Sequence, residues 1–295
     1  MTKLIDKKLS RRSLMLGASA AYILTISGCI NTSTIEVDTH RNVPPQTFVL
    51  VHGAWHGGWC WREVKQLLER DGHTVLTPTL SGLGNRASEL TQDIDLETHI
   101  SNVVDAIIAA KLKNFVLVGH SYGGMVITGV ADRLQKQITH IVYLDAAVPT
   151  DGQSMLTAGP TKSHDVLDAT KNALLSLSDD NGLSMRVFPA HALGIPTDHT
   201  SYNWVVENLT PNPMRPWFST IRLENGGAKD IPKTYVHCVA PVLEQTSFPY
   251  FAKVAQSDSH WNYLEIQTGH EAMITAPEEV HKILIETLLI NRPQT

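Results

Sequence analysis

The sequence predicts an α/β fold, a mostly parallel sheet flanked by helices with a helical cap inserted after one strand. Three observations carry this. Short apolar runs rich in β-branched residues alternate with segments of helical period over residues 47–149 and 231–295. The alternation stops over residues 150–230, where prolines, glycines and scattered tryptophans separate helical fragments. One apolar run, Phe115–Val118, enters a tight Gly119-His120-Ser121-Tyr122-Gly123 turn, and a helical run, Met125–Leu134, follows.

The elements follow in order. Thr47–Val51 reads as a strand, and Trp61, Val64, Leu67 and Leu68 recur at helical spacing until Asp71-Gly72 stops them. Thr74–Thr77 is a second strand, and Pro78–Arg86 a loop. Ile100, Val103, Val104, Ile107 and Ile108 mark the next helix, which leads into the Phe115 strand. Ile138–Leu144 is a strand that ends in Asp145-Ala146-Ala147. After the interruption come a strand at Thr234–Cys238, a helix at Ser247–Gln256, a strand at Trp261–Ile266 and a last helix at Pro277–Ile290, with proline at its start.

The N-terminus has a different character. Lys3, Lys7, Lys8, Arg11 and Arg12 precede a short apolar run, Leu14–Ile26, and then Ser27-Gly28-Cys29. A basic start, a short apolar stretch and small residues make a signal peptide over residues 1–29. Ser10–Leu14 resembles a twin-arginine signal, and Ile26–Cys29 resembles a lipobox in which Cys29 would be lipidated. Residues 30–46, polar and containing Pro44-Pro45, read as a tether. Export to the cell envelope or periplasm is the expectation, with membrane contact only through an anchor on Cys29.

The 295 residues are 42% hydrophobic and 18% charged, enough for one large core. A net charge of −5 gives no electrostatic support for nucleic-acid binding. Cys60 and Cys238 are too few and too far apart for a disulfide framework and read as small buried hydrophobes.

The chemistry starts at the turn. G-x-S-x-G between strand and helix holds a serine hydroxyl clear of the chain, with helix amides aimed at any anion formed there. A serine hydroxyl needs a base, and the base needs a carboxylate to fix its tautomer. His270, between the last strand and the last helix, is the base expected for Ser121. The acid has two candidates. Asp145 ends the strand after the serine helix; Glu244 is the first carboxylate after the Thr234–Cys238 strand. Asp145 is preferred. The oxyanion amides are expected from Tyr122 and from Ala54 in the loop after the first strand, where Gly53 lets the backbone approach substrate. His52 reads as a brace for that loop. No histidine or cysteine spacing suggests a metal.

Val49–Trp59, Gly119–Met125 and Gly269–Met273 together resemble α/β-hydrolases of the plant methylesterase and hydroxynitrile lyase branch and their bacterial relatives. The resemblance spans about Thr47 to Ile290, and its three motifs are specific whereas the cap is not. It implies an α/β-hydrolase fold and cofactor-free hydrolysis of small-molecule esters, with Ser121, His270, Ala54 and Tyr122 in the roles above. The lyases of this branch carry threonine in place of Gly53 and lysine in place of Glu271. A glutamate there opposes the stabilisation of departing cyanide, so the resemblance favours an esterase. The plant esterases carry an aspartate soon after the strand ending at Cys238, and its absence here supports Asp145.

The expected function is serine-dependent hydrolysis of small, aromatic or hydrophobic esters or lactones through an acyl-enzyme. Trp55, Trp59, Trp204, Trp217 and Phe218 are candidates to line the pocket. A hydroxynitrile lyase, a cofactor-free oxygenase or a non-catalytic binding protein on the same fold are the alternatives. Hydroxynitrile cleavage would favour the lyase, and failure to react with a fluorophosphonate probe the binding protein.

Overall fold

The computed structural model describes residues 43–290. The signal-peptide and lipobox readings lie outside the described residues, as does the tether apart from its last four positions.

Strand β1 (Thr47–Val51) leads through a tight turn at Gly58–Trp61 into α1 (Arg62–Arg70), and β2 (Thr74–Leu76) follows. β2 ends one residue earlier than expected, ahead of Pro78, which has no backbone N–H to continue the ladder. Helix α2 (Leu96–Ala109) opens on a capping box in which Asp95 Oδ1 accepts from Thr98 N at 2.9 Å and Thr98 Oγ1 accepts from Asp95 N at 3.3 Å. Next come β3 (Phe115–His120), α3 (Gly123–Leu134) and β4 (Ile138–Leu144).

The insertion that follows β4 holds α4 (His164–Leu175), β5 (Ser184–Met185), α5 (Tyr202–Asn208), β6 (Asn212–Pro213) and α6 (Arg215–Phe218). β5 and β6 pair antiparallel, a small ladder that two-residue segments do not announce in sequence. Then β7 (Lys233–Cys238), α7 (Phe248–Ser257), β8 (Trp261–Ile266), α8 (Ala272–Thr275) and α9 (Pro277–Ile290) complete the described chain.

The main sheet has the order β2-β1-β3-β4-β7-β8, and every pairing in it is parallel. All of β3 is buried, as its continuous apolar run requires of a strand covered on both faces. Every residue of α3 except Arg133 is buried too. Its last turn is roofed by the loop before β7, where Asp132 accepts backbone N–H bonds from Glu224, Asn225 and Gly227 at 3.0, 2.7 and 2.9 Å.

The order reverses at β1, with β2 on one side and β3 on the other. Such a switch point leaves a crevice outside the carboxyl ends of the two strands. Val51 pairs with Gly119, and His120 with Leu144. The loops after β1, β3 and β4 therefore emerge side by side.

Candidate active site

Ser121 is the first residue beyond β3 and has φ +56°, a left-handed conformation that is strained for a residue with a side chain. Its N–H donates to Leu144 O at 3.3 Å, and its carbonyl accepts from Gly124 N at 3.0 Å and Ala147 N at 3.1 Å. These bonds lock the turn against the chain leaving β4. The fit depends on Gly124, where a Cβ would lie 2.0 Å from Ala147 O. Gly53 is equally constrained: a Cβ there would lie 2.8 Å from Ser121 Cβ and 3.0 Å from His120 Nδ1. The loop after β1 thus presses its bare backbone against the serine.

His270 lies after β8, 3% exposed, and its Nδ1 donates to Oδ2 of Asp145 at 2.7 Å. Asp145 is 1% exposed and also left-handed, with φ +43°. Its N–H donates to Val236 O at 2.7 Å, and its Oδ1 accepts from Cys238 N at 3.4 Å. Phe248 stacks on the imidazole at 5.1 Å with the rings 10° from parallel. His120 Nε2 donates to the His270 carbonyl at 2.9 Å, and the two rings lie 4.4 Å apart. Burial works against a charged His270, but the hydrogen bond and charge of Asp145, with Glu271 adding, raise its pKa above the ordinary value. The structure therefore joins His270 to Asp145 directly. Glu244, the other candidate acid, is exposed. Ser121 is placed beside the pair through its neighbour His120; among the described residues its Oγ has no hydrogen-bond partner.

Two histidines brace the surrounding loops. His52 Nδ1 donates to Gly53 O at 2.8 Å, and its Nε2 accepts from Leu80 N at 3.1 Å. Burial holds His52 neutral, with a pKa lowered to about 3. His99 donates from Nε2 to Ser81 O at 3.0 Å and accepts from the Tyr122 hydroxyl at 2.9 Å. Among the described residues neither the Ala54 nor the Tyr122 amide donates a hydrogen bond. Trp55, with φ +62°, ties the same loop to the insertion: its N–H donates to Asn212 Oδ1 and its Nε1 to Arg186 O, both at 3.1 Å.

Of the five aromatic candidates, Trp55 and Trp217 meet, 5.9 Å apart. Trp55 also packs on Phe188 at 4.9 Å, and Trp217 is parallel to Tyr122 at 6.3 Å. Trp59 and Trp204 form a separate pair with Arg62 over Trp204, and Phe218 lies near Lys171. A cavity of about 340 Å³ bordered by Tyr143, Lys233 and Trp261 includes none of the candidate catalytic residues. Cys60 and Cys238 are free and buried.

The fold also assembles groups that sequence spacing did not connect. Donor atoms of His120, His270 and Glu271 lie within 4.8 Å of one another. Nδ1 of His270 and Nε2 of His120 are engaged by Asp145 and by a carbonyl, while Nδ1 of His120 and Oε2 of Glu271 have no hydrogen-bond partner among the described residues. His56, in the turn after Ala54, reaches the same cluster through Glu271. The only local signal for these residues was their adjacency to the motifs.

A family model described as the alpha/beta hydrolase family matches residues 48–283. A carbendazim hydrolyzing esterase of a Nocardioides strain is 38% identical over 236 residues, covering 79% of this chain and 96% of the relative. A putative chloroplastic methylesterase of Arabidopsis thaliana is 24% identical over 83% of this chain and 64% of its own length. An extracellular α/β-hydrolase from a Paenibacillus species, described as sharing structural and functional homology with tobacco salicylic acid binding protein 2, superposes with a TM-score of 0.69 at 27% identity, covering 82% of this chain and 99% of the other. The chain belongs to the α/β-hydrolase family, and within it to the carboxylic ester hydrolases.

Proposed function

We propose that the protein hydrolyses esters or lactones with a small, aromatic or otherwise hydrophobic group through an acyl-enzyme on Ser121. The observation that carries this is the 2.7 Å bond between His270 and Asp145, set beside a serine at the tip of a strained strand-to-helix turn. With Nδ1 protonated and held by Asp145, His270 keeps the Nε2 lone pair for the serine proton. As Ser121 Oγ attacks the carbonyl carbon, that proton moves to Nε2 and the negative charge on the carbonyl oxygen meets the Ala54 and Tyr122 amides. Each such donor contributes roughly 10²–10³-fold to turnover. The intermediate collapses as Nε2–H protonates the departing alcohol oxygen. His270 then takes a proton from water, which attacks the acyl-enzyme, and the second intermediate collapses as Nε2–H returns that proton to Ser121 Oγ and frees the acid.

Trp55 packs on Phe188 and Trp217, and Trp217 lies parallel to the ring of Tyr122, the residue after the serine; this apolar cluster supports the preference for a hydrophobic group. The test is Ser121→Ala assayed on p-nitrophenyl acetate. Turnover should fall to background in a protein of unchanged melting temperature; equal rates for variant and wild type would remove the nucleophile. The N-terminal sequence supports export and lipid attachment at Cys29. Labelled palmitate should enter the wild type in a bacterial host and not Cys29→Ala.

A further inference from the structure

Behind the imidazole of His270 stands a second buried carboxylate that the reaction above does not use. Glu271 follows the base directly, and its Oε2 lies 3.3 Å from Nε2 of His56, both side chains being almost wholly buried. Among the described residues neither atom has a hydrogen-bond partner elsewhere. The protonation of the other ring nitrogen of His56 is fixed: Nδ1 lies 2.7 Å from Ala54 O, and a carbonyl only accepts, so Nδ1 carries hydrogen. A neutral His56 would then point its remaining lone pair at a carboxylate oxygen, two acceptors facing each other in a dry interior. One proton between them removes the conflict, and imidazole, the stronger base of the two, holds it.

The neighbouring groups do not compete for that proton. Cys60 from the turn before α1 and Cys238 at the end of β7 both stay thiols, pushed up first by burial and then by nearby carboxylates. His120 at the end of β3 is kept neutral by burial and by His270 and His56. Asp145 is engaged with His270.

We infer that His56 and Glu271 are positioning residues: sharing one buried proton as an imidazolium–carboxylate pair, they tie the loop bearing Ala54 to the loop bearing His270, with the carboxylate end of the pair toward the base. His56 Nδ1–H holds the carbonyl of Ala54 itself, while Glu271 is covalently next to His270, so the pair spans the two loops whose separation sets the distance from oxyanion amide to imidazole. The inference rests on the proposed roles of His270 and Ala54.

The test is ¹⁵N NMR of the full chain labelled at histidine, with His56 assigned by loss of its signals in His56→Gln. At neutral pH the wild type should show both His56 nitrogens protonated. In Glu271→Gln, whose amide can donate to a neutral imidazole and preserve the packing, Nε2 of His56 should lose its proton. The acid limb of kcat/KM should move down by about half a pH unit, because the loss of the carboxylate charge near His270 is offset in part by the simultaneous loss of the His56 charge. kcat should fall by up to ~3-fold, the equivalent of that displacement, with KM nearly unchanged. An unprotonated Nε2 of His56 in the wild type overturns the shared proton, and that spectrum decides the matter even if the variant does not fold. An unmoved acid limb in folded Glu271→Gln overturns the placement of the carboxylate end of the pair toward the base. Both outcomes are distinct from failure of Ser121→Ala to lose activity, which leaves the His56 spectrum untouched.

Discussion

Nδ1 of His270 donates to Oδ2 of Asp145 across 2.7 Å, linking the loop after β8 to the end of β4, two strands that are separated in the sheet by β7. The aspartate is held by its neighbour strand as well: its N–H bonds Val236 and its Oδ1 accepts from Cys238, both in β7. Two bonds to β7, one from its backbone and one to its carboxylate, thus hold Asp145 independently of the bond to the imidazole.

Asp145→Asn should lower kcat by about 10⁴-fold while leaving KM within a small factor, since the amide favours the wrong imidazole tautomer. Glu244→Gln, on an exposed turn, should leave both constants unchanged. Steady-state kinetics on one p-nitrophenyl ester decides it, and similar losses in the two variants would contradict the assignment.

The pH profile carries the same signature. His270 acts as base only when neutral, and its pKa is raised above the ordinary 6.5 by Asp145 despite burial. kcat/KM should therefore rise with pH to a half-maximum above pH 6.5. In Asp145→Asn the residual activity should rise at lower pH, because the group that raised the pKa has lost its charge. A wild-type midpoint below 6.5 would contradict this.

Stability should respond to pH in the opposite sense from His270 alone. A histidine with a raised pKa stabilises the fold in acid and loses that contribution as pH rises through the raised value. His52 and His99 are buried neutral with pKa values lowered to about 3 and about 4, and His120 is lowered as well, all chiefly by burial. Their contribution is complete above pH 6.5 and disappears as pH falls toward 4, because the unfolded chain takes up protons first. A tenfold change in a proton-binding constant is worth about 1.4 kcal/mol, so three depressed histidines outweigh one raised one. Urea midpoints should fall steeply between pH 6.5 and 4; a flat profile would refute the neutral, buried state.

Gly53→Ala should abolish most activity without unfolding the protein. The new methyl group would sit 2.8 Å from Ser121 Cβ, so the loop bearing Ala54 or the serine turn must shift. Displacement of an oxyanion donor costs roughly 10²–10³-fold in kcat. Activity within tenfold of wild type would show that the loop adjusts freely.

Asn212→Ala tests the link between the insertion and the active-site loop. Asn212 is fully buried, accepts from Trp55 N and donates to Pro213 O at 2.7 Å. Its loss leaves a buried amide N–H without a partner and should cost about 1–3 kcal/mol, read as a urea midpoint shift. kcat should fall more than KM rises, because Trp55 adjoins Ala54.

What the sequence disclosed follows from the range of the interactions. The turn at Ser121 and the loop at His270 are local patterns, a strand followed by a break, and the structure has both. Their partner Asp145 was one of two candidates, because only the register of β4 against β3 and β7 brings it to the imidazole. His56 and Glu271 each lie within a motif, but nothing in either motif says that they face each other. The ladder of β5 and β6 escaped notice since two residues per strand make no period, and Asn212 and Pro213 are poor strand formers. The aromatic residues were recognised as a set but not sorted, and the fold divides them between two separate clusters.

With the imidazole served from β4, the tip of β7 has no catalytic side chain to deliver. Its backbone still pairs with the β8 end, Val239 N to Ile266 O and Ala240 N to Thr268 O at 3.0 Å, but beyond that Pro241–Thr246 runs along the surface. Leu243 packs against the core and Thr246 Oγ1 accepts from Phe248 N at 3.2 Å, so the exposed positions outside these contacts are Pro241, Glu244 and Gln245. The junction between Glu244 and Gln245 is the natural place to graft a tag, a reporter or a surface-attachment sequence onto a working enzyme.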